Sequence, residues 1–524
     1  MAASFSIFND VLGPVMRGPS SSHTAGAHRI ARICRALIGE DVASAHCSFD
    51  RDGSYAPTYE ALGVDKAFCA GLLGWDMADT RYESSVEESA NLGIDIAFAV
   101  KSLPQADHPN YVEIDLVSRS GRALSIHAKS PGGGAIEITE VAGWSVRIDG
   151  KAWDVVALAP APVLDAVREA VRSAAPGGSE RASEVRGDCA MLHWQSLQAV
   201  DAPALEASVA DLEGVAVAVS EPLFFVPVGV PLFSSAADVL GLAKDRSCSL
   251  GELASAYEMA LLDQTETEVL AEMQRRLDVM NRSVEEGLNP ASVAMPLTDP
   301  CASAVLSAER EGRLALGGPQ TRAAARALAV MHVCNSRGVV CAAPTGGSAG
   351  VLPGVLSVIE EDLGADEASI LRALFAASAI GLILVTRGTF AAETAGCQVE
   401  IGVAGAMAAA AVVEAAGGST RQAMDAASIS LQNTMGSVCD PVGGGCEIPC
   451  HTRNAAAASS AFTMADLILG GYVNAIPLDE AIDASLEVGM ALPPELRCTA
   501  RGGIAITPSA KKLCERRSAS PDSR

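Results

Sequence analysis

Aromatic residues are scarce in this 524-residue chain, at 4% of the sequence, although hydrophobic residues together reach 49%. The cores must therefore be built mainly from Ala, Val, Leu and Ile, and such small side chains favour closely packed helices. A chain of this length predicts about two to four domains with at least one large buried core. Size and composition together indicate a multidomain protein.

Positive charge is also scarce, with 38 Lys and Arg against 63 Asp and Glu and a formal net charge of -25. This excess of negative charge repels both phosphate backbones and anionic lipid surfaces. We therefore expect no nucleic acid and no membrane among the partners of the protein.

The sequence shows no secretory signal and no apolar run long enough to cross a bilayer. The opening MAASFSIFND lacks a basic region followed by an apolar stretch, so we expect a cytoplasmic protein. In that compartment its 14 cysteines should be free thiols rather than disulfides. The longest apolar run, residues 373–386, falls short of the roughly 20 residues that a spanning helix needs, and we interpret it as a buried helix.

Pattern along the chain predicts three domains and a tail. Residues 1–150 mix helical periodicity with short strands such as YVEIDLV and AIEITEV, which is typical of an α+β domain. Residues 151–235 follow a βαββαβ order, a ferredoxin-like arrangement that resembles the ACT regulatory module; a structural spacer is the alternative. Residues 245–514 carry long helical patterns and Ala-rich stretches that predict an all-α domain, and residues 515–524 are polar and expected to be disordered.

The strongest chemical signal is a set of cysteines beside Gly-rich turns. GCQVEIG carries Cys397, and CDPVGGGCEIPC carries Cys439, Cys446 and Cys450. Iron–sulfur clusters are held by cysteine thiolates, which may be far apart in sequence when a folded domain brings them together. Zinc is a rival interpretation, but the paired CxxC or His ligands usual for structural zinc are missing. A third interpretation is that these cysteines are inert buried thiols.

A second signal lies near the start of the chain, where GPSSSHTAG precedes a helical pattern. It supplies Ser20, Ser21, Ser22, His23 and Thr24. Hydroxyls and free backbone amides at the start of a helix suit a bound carboxylate. The alternative is an ordinary serine cap beside a surface histidine. The CAAPTGGSAG stretch likewise fits either an anion-binding turn or a helix connection.

Taken together, these stretches resemble the iron–sulfur-dependent L-serine dehydratases, with the beta and alpha parts fused in one chain. Six motifs occur in the order of that family: GPSSSHTAG, GSYAPTYEALGVDKA, SPGGGAIEITEVAGW, CAAPTGGSAG, TAGCQVEIGVAGAMAAAA and CDPVGGGCEIPCHTRNA. The resemblance implies that Cys397, Cys439 and Cys450 hold a 4Fe–4S cluster. Cys446 lies where the family usually has an aliphatic residue and is left out.

The resemblance also implies an activity, the conversion of L-serine to pyruvate and ammonia. Three protein ligands on four irons leave one iron open as a Lewis acid for the departing hydroxyl. His23 is the expected α-proton base, and the expected substrate contacts are Ser20, Ser21, Ser22, Thr24, Thr345 and Gly346. The first domain should be similar to the allosteric substrate-binding domain of some phosphoglycerate dehydrogenases, and we expect a homodimer.

One departure from the family keeps other functions open. Where many members read Lys-Gly-His-x-Thr-Asp, residues 60–65 read EALGVD and lack the lysine, histidine and threonine. Threonine or another β-hydroxy amino acid could then be the substrate, or the chain could be a non-catalytic iron–sulfur or amino-acid sensor. A pyridoxal-phosphate enzyme is disfavoured because the motifs hold few lysines for a Schiff base. Some members end in a cysteine that reaches the open iron, a role we do not assign to Cys514.

Overall fold

The computed structural model describes residues 4–518 and divides the chain into two compact units. One unit, the sheet unit, is Ser22–Val228. The other, the helical unit, combines Met1–Ser21 with Gly229–Arg524. Strands therefore dominate the first half of the chain and helices the second. This confirms the prediction of a multidomain protein with strands in its first part and helices in its second. The three-domain boundaries stay a prediction.

The strands, in chain order, are β1 (Val15–Arg17), β2 (Val42–Asp50), β3 (Asp95–Lys101), β4 (Tyr111–Ser118), β5 (Ala123–Gly132), β6 (Ala135–Val141), β7 (Trp144–Ile148), β8 (Trp153–Pro160), β9 (Ser179–Arg186), β10 (Cys189–Ser196), β11 (Ala216–Ser220) and β12 (Val339–Cys341). The helices are α1 (Gly26–Ile38), α2 (Tyr55–Thr58), α3 (Val64–Leu73), α4 (Ser85–Asn91), α5 (Leu164–Ala174), α6 (Ala202–Val209), α7 (Ala236–Arg246), α8 (Leu250–Leu262), α9 (Glu266–Gly287), α10 (Ala302–Arg310), α11 (Pro319–Asn335), α12 (Val351–Leu363), α13 (Glu367–Arg387), α14 (Ala392–Ala395), α15 (Ile401–Ala415), α16 (Thr420–Gln432), α17 (Cys450–Leu469), α18 (Leu478–Met490) and α19 (Pro508–Ser518).

A six-stranded sheet organises the first part of the sheet unit, with strand order β3-β2-β4-β5-β6-β7. Only the β2–β3 pair is parallel; the other pairs are antiparallel. Burial alternates along β5, where Leu124, Ile126 and Ala128 lie inside, because successive side chains of a strand point to opposite faces. Helices α1 and α3 pack together, and α1 also contacts β5.

A four-stranded antiparallel sheet forms the second part of the sheet unit, with strand order β11-β8-β10-β9. Helices α5 and α6 lie between its strands in the chain, so the element order is the expected βαββαβ. Val155 and Ala157 of β8 share one buried cluster with Val167 and Val171 of α5. The similarity to an ACT module stays a prediction.

The helical unit is built around α13 and α15, which pack against each other. The apolar windows of Glu367–Arg387 and Cys397–Ala415 are long enough to cross a membrane, but 78% and 89% of them are buried inside the protein. Burial of that extent is what core helices show, as expected for residues 373–386. Gly381 allows close packing here, because a Cβ at this position would clash with Val11.

The start of the chain, residues 4–21, belongs to the helical unit, and we call it the N-terminal segment. Its strand β1 pairs with β12. The buried Glu258 carboxylate of α8 accepts hydrogen bonds from the Ile7 and Phe8 amides, at 2.8 and 3.1 Å, and from the Ser6 hydroxyl. Arg276 of α9 donates to the Phe8 carbonyl at 2.9 Å. At the other end, α19 continues through Ser518, and the rest of the expected disordered tail, residues 519–524, lies outside the described residues.

Candidate functional site

The three cysteines expected to hold a cluster all lie buried in the helical unit. Cys397 opens a short turn before α15, and Cys450 is the first residue of α17. Cys439 lies in the connection between α16 and α17, where its amide donates to the Leu496 carbonyl at 2.8 Å. Their exposed fractions are 1%, 5% and 4%. Helix starts and a hydrogen-bonded loop therefore fix all three backbones.

Cys397 and Cys439 are direct neighbours. Their sulfur atoms and one carboxylate oxygen of Glu400 lie within 4.8 Å of one another, a group able to hold a metal ion. Hydrogen bonds with the thiols of Cys397 and Cys498 raise the pKa of Cys439 well above its usual range. Metal binding would release the protons of these neighbouring thiols, because cysteine binds a metal ion as the thiolate. The chemistry of these donors is that of a Cys-rich metal site.

Cys450 pairs with Cys446, the middle cysteine of CDPVGGGCEIPC. A hydrogen bond with the Cys450 thiol, together with burial, raises the pKa of Cys446 well above its usual range. Cys446 therefore lies next to an expected ligand, although it is not itself among the cysteines expected to hold the cluster. The loop that carries it turns through Gly443 and Gly444, both with positive φ, a conformation that glycine adopts without strain.

Arg453 is the cation of this site. Its Nη1 donates to the Cys397 sulfur at 3.5 Å and to the Val438 carbonyl at 2.7 Å, and its Nη2 donates to Asp440 at 2.9 Å. Burial disfavours the charged guanidinium, but Cys397, Asp440 and Cys450 outweigh it and raise the pKa of Arg453. A permanent positive charge thus faces both thiol pairs.

Glu400 joins the cysteine site to the CAAPTGG loop. The Thr345 hydroxyl donates to the Glu400 carboxylate and also contacts the Ser348 hydroxyl at 3.1 Å. Burial raises the pKa of Glu400 to about 7, against the effect of the Thr345 hydrogen bond. Gly347 lies directly beside it, and a Cβ there would lie 2.6 Å from a Glu400 oxygen, so any larger residue would displace the carboxylate. The predicted contact Thr345 is therefore placed beside a half-buried acid.

Two further predicted substrate contacts meet within the helical unit. A Cβ on Gly346 would lie 3.2 Å from the Ser21 amide nitrogen and 3.1 Å from the Pro19 carbonyl oxygen. The CAAPTGG loop and the end of the N-terminal segment, which includes Ser20, thus approach each other at backbone distance. Two motifs that are more than 300 residues apart in the chain become one local surface.

The histidine of the SSHT stretch is buried in the sheet unit, not at the surface. His23 Nδ1 lies 3.0 Å from the Ser22 hydroxyl, and His23 Nε2 lies 3.1 Å from the Ser54 hydroxyl. The Tyr55 ring contacts His23 edge to face, and its hydroxyl donates to the Ser22 carbonyl at 3.0 Å. Thr24 is buried in the same turn, and α1 starts after it without a side-chain cap. The alternative interpretation, an ordinary serine cap beside a surface histidine, is therefore wrong in placing His23 at the surface.

A cavity opens beside Cys397, with a volume of about 280 Å³. Polar side chains from α16, the following loop and α17 line it; they include Asn433, Thr434, Ser437 and Arg453. Apolar residues such as Ile401 and Met464 complete the lining, and its size suits a small molecule next to the candidate metal ligands.

Sequence reasoning missed Glu400, Arg453 and Cys498. The first two lie inside motifs already singled out, so their proximity to Cys397 and Cys450 was an available signal. Cys498 had none: its amide donates to the Cys439 carbonyl at 2.8 Å, and its φ of 59° is strained for a non-glycine residue. Cys514 lies in α19, with its sulfur 3.1 Å from where a Cβ of Gly443 would be.

Comparison with known proteins places these features in one family. Residues 245–505 match the model of the family described as serine dehydratase alpha chain. The chain is 36% identical to the probable L-serine dehydratase alpha chain of Bacillus subtilis, over 54% of this chain and 94% of that protein. It is 29% identical to an L-serine dehydratase of Streptomyces coelicolor over 93% of this chain and 96% of that one. Its beta part is 43% identical to the probable beta chain of Bacillus subtilis, over 27% of this chain and 62% of that protein. The chain therefore belongs to the L-serine dehydratase family, with alpha and beta parts in one polypeptide.

Proposed function

We propose that this protein is an L-serine ammonia-lyase that converts L-serine to pyruvate and ammonia, with a 4Fe–4S cluster held by Cys397, Cys439 and Cys450. The observation that carries the proposal is the buried Cys-rich site in the part of the chain that matches the family. The named relatives act on L-serine according to their names, and one of them extends over nearly the whole chain.

The donor atoms fit an iron–sulfur cluster. The three cysteines proposed as ligands form no disulfide, and they are buried thiols next to a cation. Thiolates are the ligands that such clusters use, and nearby positive charge favours the thiolate form. When bound, a cluster with three protein ligands supplies an open Lewis-acid iron to the departing hydroxyl.

The chain's own residues supply binding and proton handling. The cavity beside Cys397 accepts the amino acid, and Arg453 provides the positive charge at its wall. Thr345 orients the Glu400 carboxyl by donating to it, and Gly346 leaves room for close backbone approach. In the sheet unit, Ser22 and Ser54 hold both ring nitrogens of His23, which we propose as the α-proton base.

The remaining proposals concern the location of the protein, its partners and its oligomeric state. We propose a cytoplasmic enzyme that works on a small molecule and acts without nucleic acid or membrane. The expected homodimer, and the substrate contacts of Ser20, Ser21, Ser22 and Thr24, belong to the same proposal.

The test is anaerobic purification followed by iron and sulfide analysis, with pyruvate production from L-serine measured before and after exposure to air. We expect about four irons per chain, as a 4Fe–4S cluster requires, and turnover that is lost in air. Parallel assays with L-threonine decide the substrate. A cluster without turnover of either amino acid would instead support a sensor, and one metal ion without sulfide would indicate a mononuclear site at Cys397, Glu400 and Cys439.

A further inference from the structure

Cys498 has no part in the proposed function, although it lies against one of the proposed ligands. The Cys439 amide donates to the Leu496 carbonyl, and the Cys498 amide donates to the Cys439 carbonyl, each at 2.8 Å. Between these two hydrogen bonds, Cys439 and Arg497 form a parallel β-bridge. The main chain itself therefore fixes Cys498 beside Cys439.

The side chains of this pair also meet. The thiols of Cys439 and Cys498 are hydrogen-bonded to each other. Paired strands lie about 4.7–4.9 Å apart, and a disulfide joins Cα atoms that are about 4.4–6.8 Å apart. Backbone pairing and thiol contact together describe two cysteines that can be cross-linked without a large movement of the chain.

Cys397 is the rival partner for Cys439, because their sulfur atoms lie within 4.8 Å of each other. The main chain of Cys397, however, pairs with Ser437 and not with Cys439 itself: its amide donates to the Ser437 carbonyl at 3.0 Å. Its sulfur also accepts a hydrogen bond from Arg453 at 3.5 Å. The direct backbone pairing favours Cys498.

A small oxidant can reach this pair of thiols. Cys498 is half-buried. The cavity of about 280 Å³ opens beside Cys397, whose sulfur is the neighbour of the Cys439 sulfur. Dioxygen is small enough to enter by either route.

We propose that Cys498 is a protecting thiol, which forms a disulfide with Cys439 when exposure to air has removed the cluster. The inference rests on the proposed function, because it takes Cys439 to be a cluster ligand. Once Cys439 is released, the two S–H bonds break and one S–S bond forms. The two thiols are oxidised, and dioxygen takes up their two electrons and two protons and leaves as hydrogen peroxide.

The benefit of this disulfide is that it can be reversed. A cysteine oxidised further becomes a sulfinic or sulfonic acid, from which simple thiols do not recover it. A disulfide is opened again by thiol exchange. Reduction would then restore Cys439 as a ligand.

Tryptic peptides separate the cysteines in question. Cleavage after arginine places Cys397 in residues 388–421, Cys439 in residues 422–453 and Cys498 in the tetrapeptide CTAR. The iron-loaded, full-length protein is exposed to air, its remaining thiols are blocked, and it is digested without reductant. We expect CTAR linked to residues 422–453 to appear as iron is lost, with fragment masses that assign the bond to Cys439.

Two results would overturn the proposal. One is a link between residues 388–421 and 422–453 in place of the link to CTAR. The other is the absence of linked CTAR after the iron has gone. Failure of the proposed function would be seen separately, as an absence of iron and sulfide before exposure to air, and the linked CTAR can still be sought in such a protein.

Two variants test the protection. Cys498→Ser keeps the size of the side chain, and Cys498→Gly also relieves the positive φ of 59°. Both should bind as much iron as the parent protein. After exposure to air, both should carry sulfinic acid at Cys439 and regain little of the cluster when dithiothreitol, iron and sulfide are added.

Cys248→Ser is the matched control, because it removes another half-buried thiol of the helical unit. It should recover its iron as the parent protein does. Equal recovery in the folded Cys498 variants would contradict the protecting role. A lower iron content of these variants before exposure to air would make Cys498 a ligand and would overturn the proposal as well.

Discussion

The guanidinium of Arg453 donates to the Cys397 sulfur across 3.5 Å. The same side chain holds Asp440, which is almost fully buried. Arg453 therefore compensates negative charge on two sides, the proposed thiolate ligand and a carboxylate that has little access to water. Its position links the charge balance of the metal site to the stability of the loop that carries Cys439.

Arg453→Gln should weaken both the retention of iron at the proposed metal site and the stability of the loop that carries Cys439. Among residues 4–518, removing the guanidinium leaves Asp440 with the Ile504 amide as its one charge-stabilising donor, which we expect to cost about 2–3 kcal/mol of stability. Thermal unfolding and iron content of the anaerobically purified variant measure the effect. Arg421→Gln, at an exposed position of α16, is the control and should change stability by less than about 0.5 kcal/mol. Full iron content and unchanged unfolding in the Arg453 variant would contradict this role.

The ligand assignment predicts a sharp division among four serine variants. Cys397→Ser, Cys439→Ser and Cys450→Ser should each lose the cluster and the activity, because serine is a poor replacement for a thiolate ligand. Cys446→Ser should keep both, although Cys446 hydrogen-bonds Cys450. Iron and sulfide per chain are the measurement. Loss of iron from the Cys446 variant, with retention in any of the other three, would reverse the assignment.

Thr345 should affect turnover through its hydroxyl. Thr345→Val keeps the shape but removes the donor to Glu400, and the loss of one such hydrogen bond, about 1.4 kcal/mol, corresponds to roughly a tenfold drop in kcat/KM for L-serine. Thr345→Ser retains the donor and should retain most of the activity. Both variants should hold the iron of the parent protein. Equal activity of the valine and serine variants would remove Thr345 from the site.

His28 should make the sheet unit sensitive to acid. Burial lowers the pKa of His28 from 6.5 to about 4. Between these values the unfolded chain binds a proton that the folded unit does not, so the free energy of unfolding falls as the pH falls, by roughly 3 kcal/mol in total. Urea unfolding at pH 7 and pH 4.5, followed by tryptophan fluorescence, reports on this unit because all four tryptophans lie in it. His28→Gln should show a smaller pH dependence, and an identical one would disprove the role.

Glu258 should anchor the N-terminal segment. Glu258→Ala removes the buried carboxylate that accepts from the Ile7 amide and, together with Ser6, from the Phe8 amide, at a cost of about 3 kcal/mol. The segment should then be cut rapidly by a protease that leaves it intact in the parent protein. Glu285→Ala, at an exposed position of α9, serves as the control. Equal resistance of the two variants would mean that other contacts hold the segment.

Local pattern predicted most of the architecture. The alternation of apolar residues indicated strands such as β4 and β6, and the Ala-rich runs indicated the helices of the second half, because each element must bury one face. The run at residues 373–386 was predicted as a buried helix and lies within α13. These features depend on neighbours close in sequence.

Contacts between distant parts of the chain could not be predicted in this way. The pairing of β1 with β12 involves three residues on each side and leaves no pattern in either. Cys498 is brought to Cys439 by two main-chain hydrogen bonds, and the proximity of Glu400 to Thr345 depends on how two loops meet. The cysteines that we propose as ligands were predicted through family resemblance, since their spacing alone left three interpretations open.

The arrangement of the N-terminal segment has a consequence for synthesis. The segment leaves the ribosome before its partners, because Glu258 and β12 emerge only after the whole of Ser22–Val228 has been made. At roughly 5–20 residues per second, β12 follows the segment by about 15–60 s. During translation the sheet unit can fold while the segment waits, with its apolar residues such as Phe8 and Val11 uncovered. A nascent chain stalled before residue 258 would therefore be a client for chaperones that bind exposed apolar sequence.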